Sequence, residues 1–427
     1  MLCSLSGQVP QEPVVSLKSG LVFEKRLLLQ YLEQNQRRCP VTDEELDPES
    51  DLLPLRFHGQ AQAQTTAGTA NPAAKVGVEG ASVVATVEAK QKELAKARKD
   101  FKKREGPRRA ALLEGINGWK LASSHTLHDS DKPGVLAVAV DPQNASRVAT
   151  GGVDKHVKVF NAQSQQLEAT LTGHSKKVSA VAFHPSADLL VSGSHDKTVK
   201  LVGATLDGYD DAVVGLSVHP TGGYVLAGSL DGTWGLHDVR GGKLLARYAL
   251  SGELAVPRTT VKAADETRMV AFHPDGGIFG SAAKSQRVQM WAVNTLASVV
   301  TFEGHGAPVN ALSFSENGYH LASGDEDGVV KLWDLRKAKA FFEVDLKAAG
   351  KAKKSVGAIR ALQFDPSGAF LAVAGANVQV LHEQSKSAWE VVAAFEEHKA
   401  AVTGVAFSPD SSFLASTSMD RSLKLFR

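Results

Sequence analysis

The first 55 residues contain few of the side chains that metal chemistry requires. They hold two cysteines, Cys3 and Cys39, and the first histidine of the chain is His58. A zinc site needs about four Cys, His or carboxylate ligands at close spacing, which two distant thiols cannot supply. The segment must therefore fix its loops with hydrogen bonds, ion pairs and a small apolar core. We predict no metal site and no other cofactor.

Covalent catalysis finds equally little support. Neither Cys3 nor Cys39 lies in a catalytic pattern, so both are interpreted as small buried hydrophobes. The chain has no phosphate-binding glycine loop and no triad signature. A small-molecule enzyme is therefore not predicted, and no catalytic nucleophile is assigned.

Composition excludes several further classes. The chain has 427 residues, 43% of them hydrophobic, and a net charge of +2, which is typical of a globular protein. Near-neutral charge argues against direct nucleic-acid binding. No apolar run approaches the roughly 18–20 residues of a membrane span, and the start does not read as a secretory signal. Two cysteines indicate a reducing compartment, the cytosol or the nucleus.

Three regions differ in composition. Residues 1–56 have their own apolar pattern, residues 57–118 are rich in Ala, Gln, Gly and Lys, and residues 119–427 repeat. Seven segments share an apolar strand, a turn with Pro or Gly, a second strand, an acidic turn and a third strand. Their spacings are 43, 35, 54, 42, 50 and 43 residues, measured between equivalent positions: Val140, Phe183, Val218, Phe272, Phe314, Phe364 and Phe407. A period near 40–45 residues predicts a β-propeller.

These repeats resemble the WD-repeat family. Gly173-His174 and Gly304-His305 match its Gly-His dipeptide, and Trp333-Asp334 is a complete Trp-Asp. The resemblance implies a structural tetrad of a histidine, a strand Ser or Thr, a turn aspartate and a tryptophan. In the best-preserved repeat its members would be His305, Ser323, Asp327 and Trp333. Partial copies would include His174, Asp196, His398 and Asp420.

The ends of the repeat region predict how the ring closes. The last repeat stops at its third strand, Lys424–Arg427, and therefore lacks an outer strand. The stretch from 119 to 128 precedes the first repeat and can supply that strand, which would leave no open edge. The short spacing of 35 residues predicts that the second blade has a missing or irregular outer strand.

Residues 1–55 resemble a U-box, a metal-free relative of the RING domain. The resemblance is carried by Cys3-Ser-Leu-Ser-Gly, Ser19-Gly20, a predicted amphipathic helix from 24 to 34 and Cys39-Pro-Val-Thr. It implies a groove that binds a ubiquitin-conjugating enzyme carrying ubiquitin. The groove residues would be those at the family positions: Leu5, Tyr31, Pro40 and Val41. For Val41, an ordinary core position is an equally good interpretation.

The order of the two domains resembles the pre-mRNA-processing factor nineteen family. The fold class expected is mainly β, with a small α+β U-box followed by a seven-bladed WD-repeat propeller. The resemblance implies a RING-type ubiquitin ligase in the nucleus, acting in pre-mRNA splicing and DNA repair with spliceosomal proteins as partners. The alternative is a non-catalytic spliceosomal scaffold.

The linker departs from that family, whose members form tetramers through a long coiled coil. Residues 57–82 are too polar for one, and the remaining apolar spacing predicts a single helix over 83–104 that stops before Gly106-Pro107. A homo-tetramer is therefore doubtful for this chain. The 11 Lys/Arg and 5 Asp/Glu of residues 75–109 fit a solvated helix face, with a nuclear-localisation or RNA-contacting patch as the alternative.

Overall fold

The computed structural model describes residues 13–16, 22–35, 38, 52–54, 112–129, 131–132, 134–201, 204–250, 265–346, 356–385 and 388–427. The chain divides into two units, Met1–Val84 and Ala85–Arg427. The predicted linker helix over 83–104 lies outside the described residues. Within the described residues, no helix has the length and apolarity to cross a membrane.

The first unit contains a small antiparallel sheet and one helix. The strands are β1 (Pro13–Ser16), β2 (Val22–Glu24) and β3 (Leu52–Pro54), in the order β2-β1-β3. Helix α1 (Lys25–Gln34) follows β2 directly and buries Leu28 and Leu32, two positions of the predicted apolar face. At the end of the helix the carbonyl of Tyr31 accepts two hydrogen bonds from Asn35, one from its backbone amide over 3.0 Å and one from its side-chain nitrogen over 2.9 Å.

The second unit is a β-propeller of seven four-stranded antiparallel sheets, which confirms the predicted mainly-β architecture. The first blade comprises β5 (Val135–Val140), β6 (Arg147–Gly152), β7 (Val157–Asn161) and β8 (Gln166–Leu171). The second comprises β9 (Val178–Phe183), β10 (Leu190–Ser194), β11 (Val199–Leu201) and β12 (Ala204–Leu206). The third comprises β13 (Val213–Val218), β14 (Tyr224–Ser229), β15 (Thr233–Asp238) and β16 (Lys243–Ala249).

The remaining blades have the same strand order. The fourth comprises β17 (Thr267–Phe272), β18 (Ile278–Ala283), β19 (Val288–Ala292) and β20 (Ser298–Phe302). The fifth comprises β21 (Val309–Phe314), β22 (His320–Asp325), β23 (Val329–Asp334) and β24 (Lys339–Asp345). The sixth comprises β25 (Ala361–Phe364), β26 (Phe370–Ala374), β27 (Val378–Ser385) and β28 (Ala388–Phe395).

The seventh blade closes the ring as the sequence predicts. Its strands β29 (Val402–Phe407), β30 (Leu414–Ser418) and β31 (Ser422–Phe426) come from the end of the chain. Its outer strand is β4 (Leu121–Thr126), which pairs with β31 in antiparallel register. The inner strands contact each other in order around the ring, and that of the seventh blade contacts that of the first.

Apolar side chains fill every boundary between neighbouring blades. Each of the seven boundaries holds one cluster of buried residues drawn from both sheets. Between the third and fourth blades, for example, Trp234 packs edge-on against Phe279 and Trp291. This burial on both faces explains why the inner strands read as nearly continuous apolar runs.

The packing of the propeller begins before the predicted boundary at 119. Residues 112–118 are helical, and Ile116 is fully buried against the sixth and seventh blades. Trp119 lies beside Phe407, with ring centroids 6.4 Å apart. This helical segment therefore covers the boundary between the sixth and seventh blades.

The second blade keeps its outer strand in a shortened form. Strand β12 has three residues and pairs with β11 through Val199↔Leu206 and Leu201↔Ala204. Only residues 202 and 203 separate the two strands, whereas four or five residues join the third and fourth strands of the first, third, fourth and fifth blades. The irregularity predicted from the 35-residue spacing thus lies in the third and fourth strands.

Histidines tie consecutive blades together at the turns between first and second strands. The Nε2 atom of His184 lies 2.8 Å from the carbonyl of Gly222, and His219 contacts the carbonyl of Gly276 in the same way at 3.0 Å. His273 repeats the contact at the next turn. Backbone amides donate to Nδ1 of His184, so its proton lies on Nε2 and is donated to the next blade.

The contact at Gly276 predicts a specific destabilisation. Gly276 has φ +72° and a Cβ there would overlap the imidazole of His219. We expect Gly276→Ala to lower the free energy of unfolding by at least about 2 kcal/mol, because it combines left-handed strain with loss of an inter-blade hydrogen bond. Urea unfolding followed by tryptophan fluorescence measures the change.

Gly223 provides the matched control, since the nearest atom to a Cβ there is 3.6 Å away and its φ lies outside the left-handed region. Gly223→Ala should cost less than about 1 kcal/mol. Equal losses in the two variants would contradict the role assigned to the histidine contact.

Candidate functional site

A buried hydrogen-bond network joins the fifth blade to the connection that precedes it. His305 lies before β21, and its Nδ1 and Nε2 atoms are 2.8 Å from Asp325 Oδ2 and 2.6 Å from Ser323 Oγ. The Trp333 indole donates to the same hydroxyl over 2.8 Å. The structure therefore brings His305, Ser323 and Trp333 together in the predicted arrangement.

The aspartate of this network differs from the predicted one. Asp325 is 1% exposed and accepts from His305, whereas the predicted residue, Asp327, is exposed. Asp325 Oδ1 also accepts the backbone amides of Asp327 and Val329, so one carboxylate holds both the turn and the histidine. A carboxylate at the end of β22 reaches the buried ring directly, and for this reason we correct Asp327 to Asp325.

Two further blades contain the network with the predicted aspartates. His174 lies 2.8 Å from Asp196 and 2.9 Å from Ser192 in the second blade. In the seventh blade His398 lies 3.0 Å from Asp420, and its Nε2 contacts the hydroxyl of Ser416 at 2.7 Å. A histidine and a turn aspartate therefore suffice without the tryptophan.

The first blade contains a network that the repeat pattern did not predict. His128 lies 2.8 Å from Asp154 and 2.9 Å from Thr150, and it is 4% exposed. It follows a leucine instead of the glycine of the Gly-His dipeptide. The sequence separation between His128 and Asp154 could have predicted the network. It is 26 residues, close to the 22 residues between His174 and Asp196.

The third blade uses an arginine where the first, second, fifth and seventh blades use a histidine. Arg247 on β16 is 3% exposed and reaches Asp231 over 2.9 Å and Asp210 over 2.8 Å. Its Nε atom donates to Thr233 Oγ1 over 3.0 Å. Because the cation comes from the outer strand and not from the connection before the blade, no Gly-His pattern could have predicted it.

These networks share the connectivity of a hydrolytic triad but lack the access that a triad needs. Ser323 and Ser416 are both 0% exposed, so no substrate carbonyl can reach either hydroxyl. The Ser323 oxygen also accepts a hydrogen bond from the Trp333 indole. The arrangement instead satisfies buried polar groups, which is a structural role.

Hydrogen bonds keep the turn aspartates ionised. Burial alone would raise the pKa of Asp196, but bonds from Thr198, Ser175 and His174 outweigh it and lower that pKa to about 2. The pKa values of Asp154 and Asp420 are also lowered to about 2 by their hydrogen bonds, against the effect of burial. Burial lowers the pKa of His398. In the seventh blade, a neutral His398 therefore faces the ionised Asp420 near neutral pH.

The predicted conjugating-enzyme groove is only partly within the described residues. Tyr31 lies on α1 and is half-buried, one residue before the buried Leu32. Leu5, Pro40 and Val41 lie outside the described residues. No group of three potential metal ligands occurs in the described part of the chain.

Comparison with known proteins identifies the family. The model of the WD domain, G-beta repeat, matches residues 120–161, 165–203, 202–238, 296–334 and 389–427. Pre-mRNA-processing factor 19 of Oryza sativa is 31% identical over the whole chain and 97% of its own length. The chain belongs to the Pre-mRNA-processing factor 19 family.

Other members of the Pre-mRNA-processing factor 19 family align in the same way. Pre-mRNA-processing factor 19 homolog 2 of Arabidopsis thaliana is 31% identical over the whole chain and 97% of its own length. The human protein is 34% identical over 75% of this chain and 61% of its own length. The repeat model leaves most of the fourth and sixth blades unmatched, yet both are four-stranded sheets in the structure.

The corrected aspartate leads to a direct comparison of two variants. We expect Asp325→Ala to lower the free energy of unfolding by about 2–4 kcal/mol, because it leaves buried donors of His305 and two backbone amides without an acceptor. Asp327→Ala removes an exposed side chain and should cost less than about 1 kcal/mol. Urea unfolding followed by tryptophan fluorescence tests both, and a larger loss in Asp327→Ala would restore the original assignment.

The lowered aspartate pKa values predict acid sensitivity. An unfolded aspartate has a pKa of about 3.9, so the stabilisation from these carboxylates is complete above that value and is lost as the pH falls towards about 2. Asp196→Asn removes one titrating group. The variant should unfold at a lower temperature near pH 7 and show a smaller further loss near pH 3 than the wild type. Circular dichroism measures both, and an unchanged pH-dependent loss would contradict the assignment.

Proposed function

We propose that this chain is a U-box ubiquitin ligase of the nucleus that acts in pre-mRNA splicing and DNA repair. The observation that carries the proposal is the match of rice and Arabidopsis pre-mRNA-processing factors over the whole chain, both its U-box-like start and its propeller. The pairing of these two domains resembles a ligase that recruits a conjugating enzyme at one end and partners at the other.

The proposed ligase works by recruitment and activation and not through a covalent intermediate. Leu5, Tyr31, Pro40 and Val41 would contact the loops of the conjugating enzyme. Helix α1 supports this role, because Leu28 and Leu32 fix one face in the core while Tyr31 remains half-buried beside them. A partner that covers the rest of the tyrosine would gain an aromatic anchor of the kind that dominates interfaces.

The propeller is proposed to bind the second partner, which is a substrate or a spliceosomal protein. Its His–Asp networks are buried and serve the fold, so partner contacts must come from other side chains. The alternative function is a spliceosomal scaffold in which the U-box-like unit has no role in ubiquitin transfer.

Ubiquitin transfer in a purified system separates the two functions. With activating enzyme, a panel of conjugating enzymes and ubiquitin, the full chain should form polyubiquitin conjugates. We expect Leu5→Ala, Pro40→Ala and Tyr31→Ala each to slow the reaction at least about tenfold, because each removes a contact worth roughly 1.4 kcal/mol or more. Gel-based initial rates provide the measurement.

Gln30 on the same helix is exposed and offers the control variant. Gln30→Ala should retain the wild-type rate within about twofold, since exposed positions outside an anchor contribute little. Absence of conjugates from folded wild-type protein across the panel would overturn the ligase proposal and favour the scaffold.

A further inference from the structure

The inner strands of all seven blades line one channel through the propeller. At the end where the His–Asp networks lie, the channel opens into a cavity of about 630 Å³. One equivalent position of every blade faces this cavity; it lies on the inner strand, or in the sixth blade directly before it. The fourth, fifth and sixth blades place Arg268, Asn310 and Arg360 there, whereas the other four place Leu, Ser, Val and Thr. We call Arg268, Asn310 and Arg360 the cationic mouth.

Arg268 is only partly satisfied by its neighbours. Its guanidinium pairs with Glu266 at 3.0 Å and more loosely with Glu326 at 3.5 Å. Its Nε atom is buried and has no hydrogen-bond partner among the described residues. A buried donor without an acceptor is costly, so this atom favours a ligand that brings an oxygen.

Asn310 has a buried acceptor without a hydrogen-bond donor in the described structure. Its side-chain nitrogen donates to the carbonyl of Ile359 over 3.2 Å. Its Oδ1 atom is buried and accepts no hydrogen bond from the part of the chain that the structure describes. A ligand that satisfies both Arg268 and Asn310 must therefore offer an acceptor and a donor.

Arg360 gives the mouth its free positive charge. The residue is exposed at the cavity rim and forms no ion pair with any residue in the described ranges. Lys177 lines the opposite side, and Glu326 is the one carboxylate among the described residues that line this cavity. The excess of positive charge favours an anionic ligand.

The wall deeper in the channel combines apolar residues with a few polar ones such as Ser313 and Gln363. Leu312 and Leu362 follow the mouth residues along the inner strands, together with Val138 and Val181 from the first two blades. A ligand that enters past the mouth thus meets a less charged wall with apolar residues on several blades. The site has the anatomy of a small interface, with a polar rim around an apolar centre.

We propose that the cationic mouth binds an acidic peptide segment of a partner protein. A peptide backbone offers a carbonyl for Arg268 Nε and an N–H for Asn310 Oδ1, while an acidic side chain pairs with Arg360. A phosphate group offers acceptors but no comparable donor. Apolar side chains that alternate with the acidic ones would enter the channel below. This inference rests on the proposed function only in assigning partner binding to the propeller.

Fluorescence anisotropy with the full chain tests the proposal. The probe is a fluorescein-labelled peptide of alternating Glu and Leu, and the comparison peptide replaces each Glu by Gln. We expect the Glu peptide to bind at least about tenfold more tightly and Arg360→Glu to weaken it at least about tenfold, because attraction becomes repulsion. Arg360→Gln should have an intermediate effect.

Lys399 supplies the matched charge control, because it is exposed near Asp420 and outside the channel lining. Lys399→Glu should leave binding within about twofold of wild type, since its charge lies outside the site. Equal losses in Lys399→Glu and Arg360→Glu, or equal binding of the Gln peptide, would overturn the proposal. So would inorganic triphosphate that binds more tightly than the peptide and displaces it, which would identify a phosphate site.

The ubiquitin-transfer assay tests whether a failure concerns the peptide site or the proposed ligase function. Arg360→Glu should retain the wild-type rate of autoubiquitination and the wild-type unfolding temperature, because Arg360 is exposed and in the propeller. Failure of peptide binding with active ligase would reject the cationic mouth alone. Loss of ligase activity with intact peptide binding would reject the ligase alone.

Discussion

Packing between neighbouring sheets is the interaction on which the rest of the propeller depends. Backbone hydrogen bonds hold strands together within each blade, but the blades meet through side chains from both sheets. Fully burying one large apolar side chain contributes about 1.5–3 kcal/mol, and every boundary contains several. This explains why the fourth and sixth blades can depart from the repeat pattern and still form regular sheets.

The predictable part of this fold is the part encoded by local pattern. Strand order and ring closure followed from the repeats, because an apolar run, a turn and a short tail leave few alternatives. The choice between Asp325 and Asp327 did not, because two aspartates two residues apart both suit the turn. Only the burial of one carboxylate against His305 distinguishes them.

Contacts between residues far apart in the sequence could not be predicted either. Arg247 reaches the carboxylate of Asp231 from an outer strand. The third blade therefore also gives its turn aspartate a buried hydrogen-bond donor, but this donor comes from a different part of the blade. Three blades use the predicted histidine and one uses His128 without its glycine. The candidate binding residues are harder still, since Arg268, Asn310 and Arg360 share a position around a ring and no local motif. Their common property, incomplete satisfaction in a cavity, exists only in three dimensions.

The pairing of β4 with β31 also has a consequence for how the chain is made. Strand β4 is synthesised before the strands of the first six blades and β31 after them, so the nascent chain carries a strand whose partner has not yet been made. Long sequence separation makes such pairing slow, and an exposed strand edge invites association with other chains. A chain that stops before β31 would have six complete blades and an open ring, and such a product would be a substrate for chaperones and proteases.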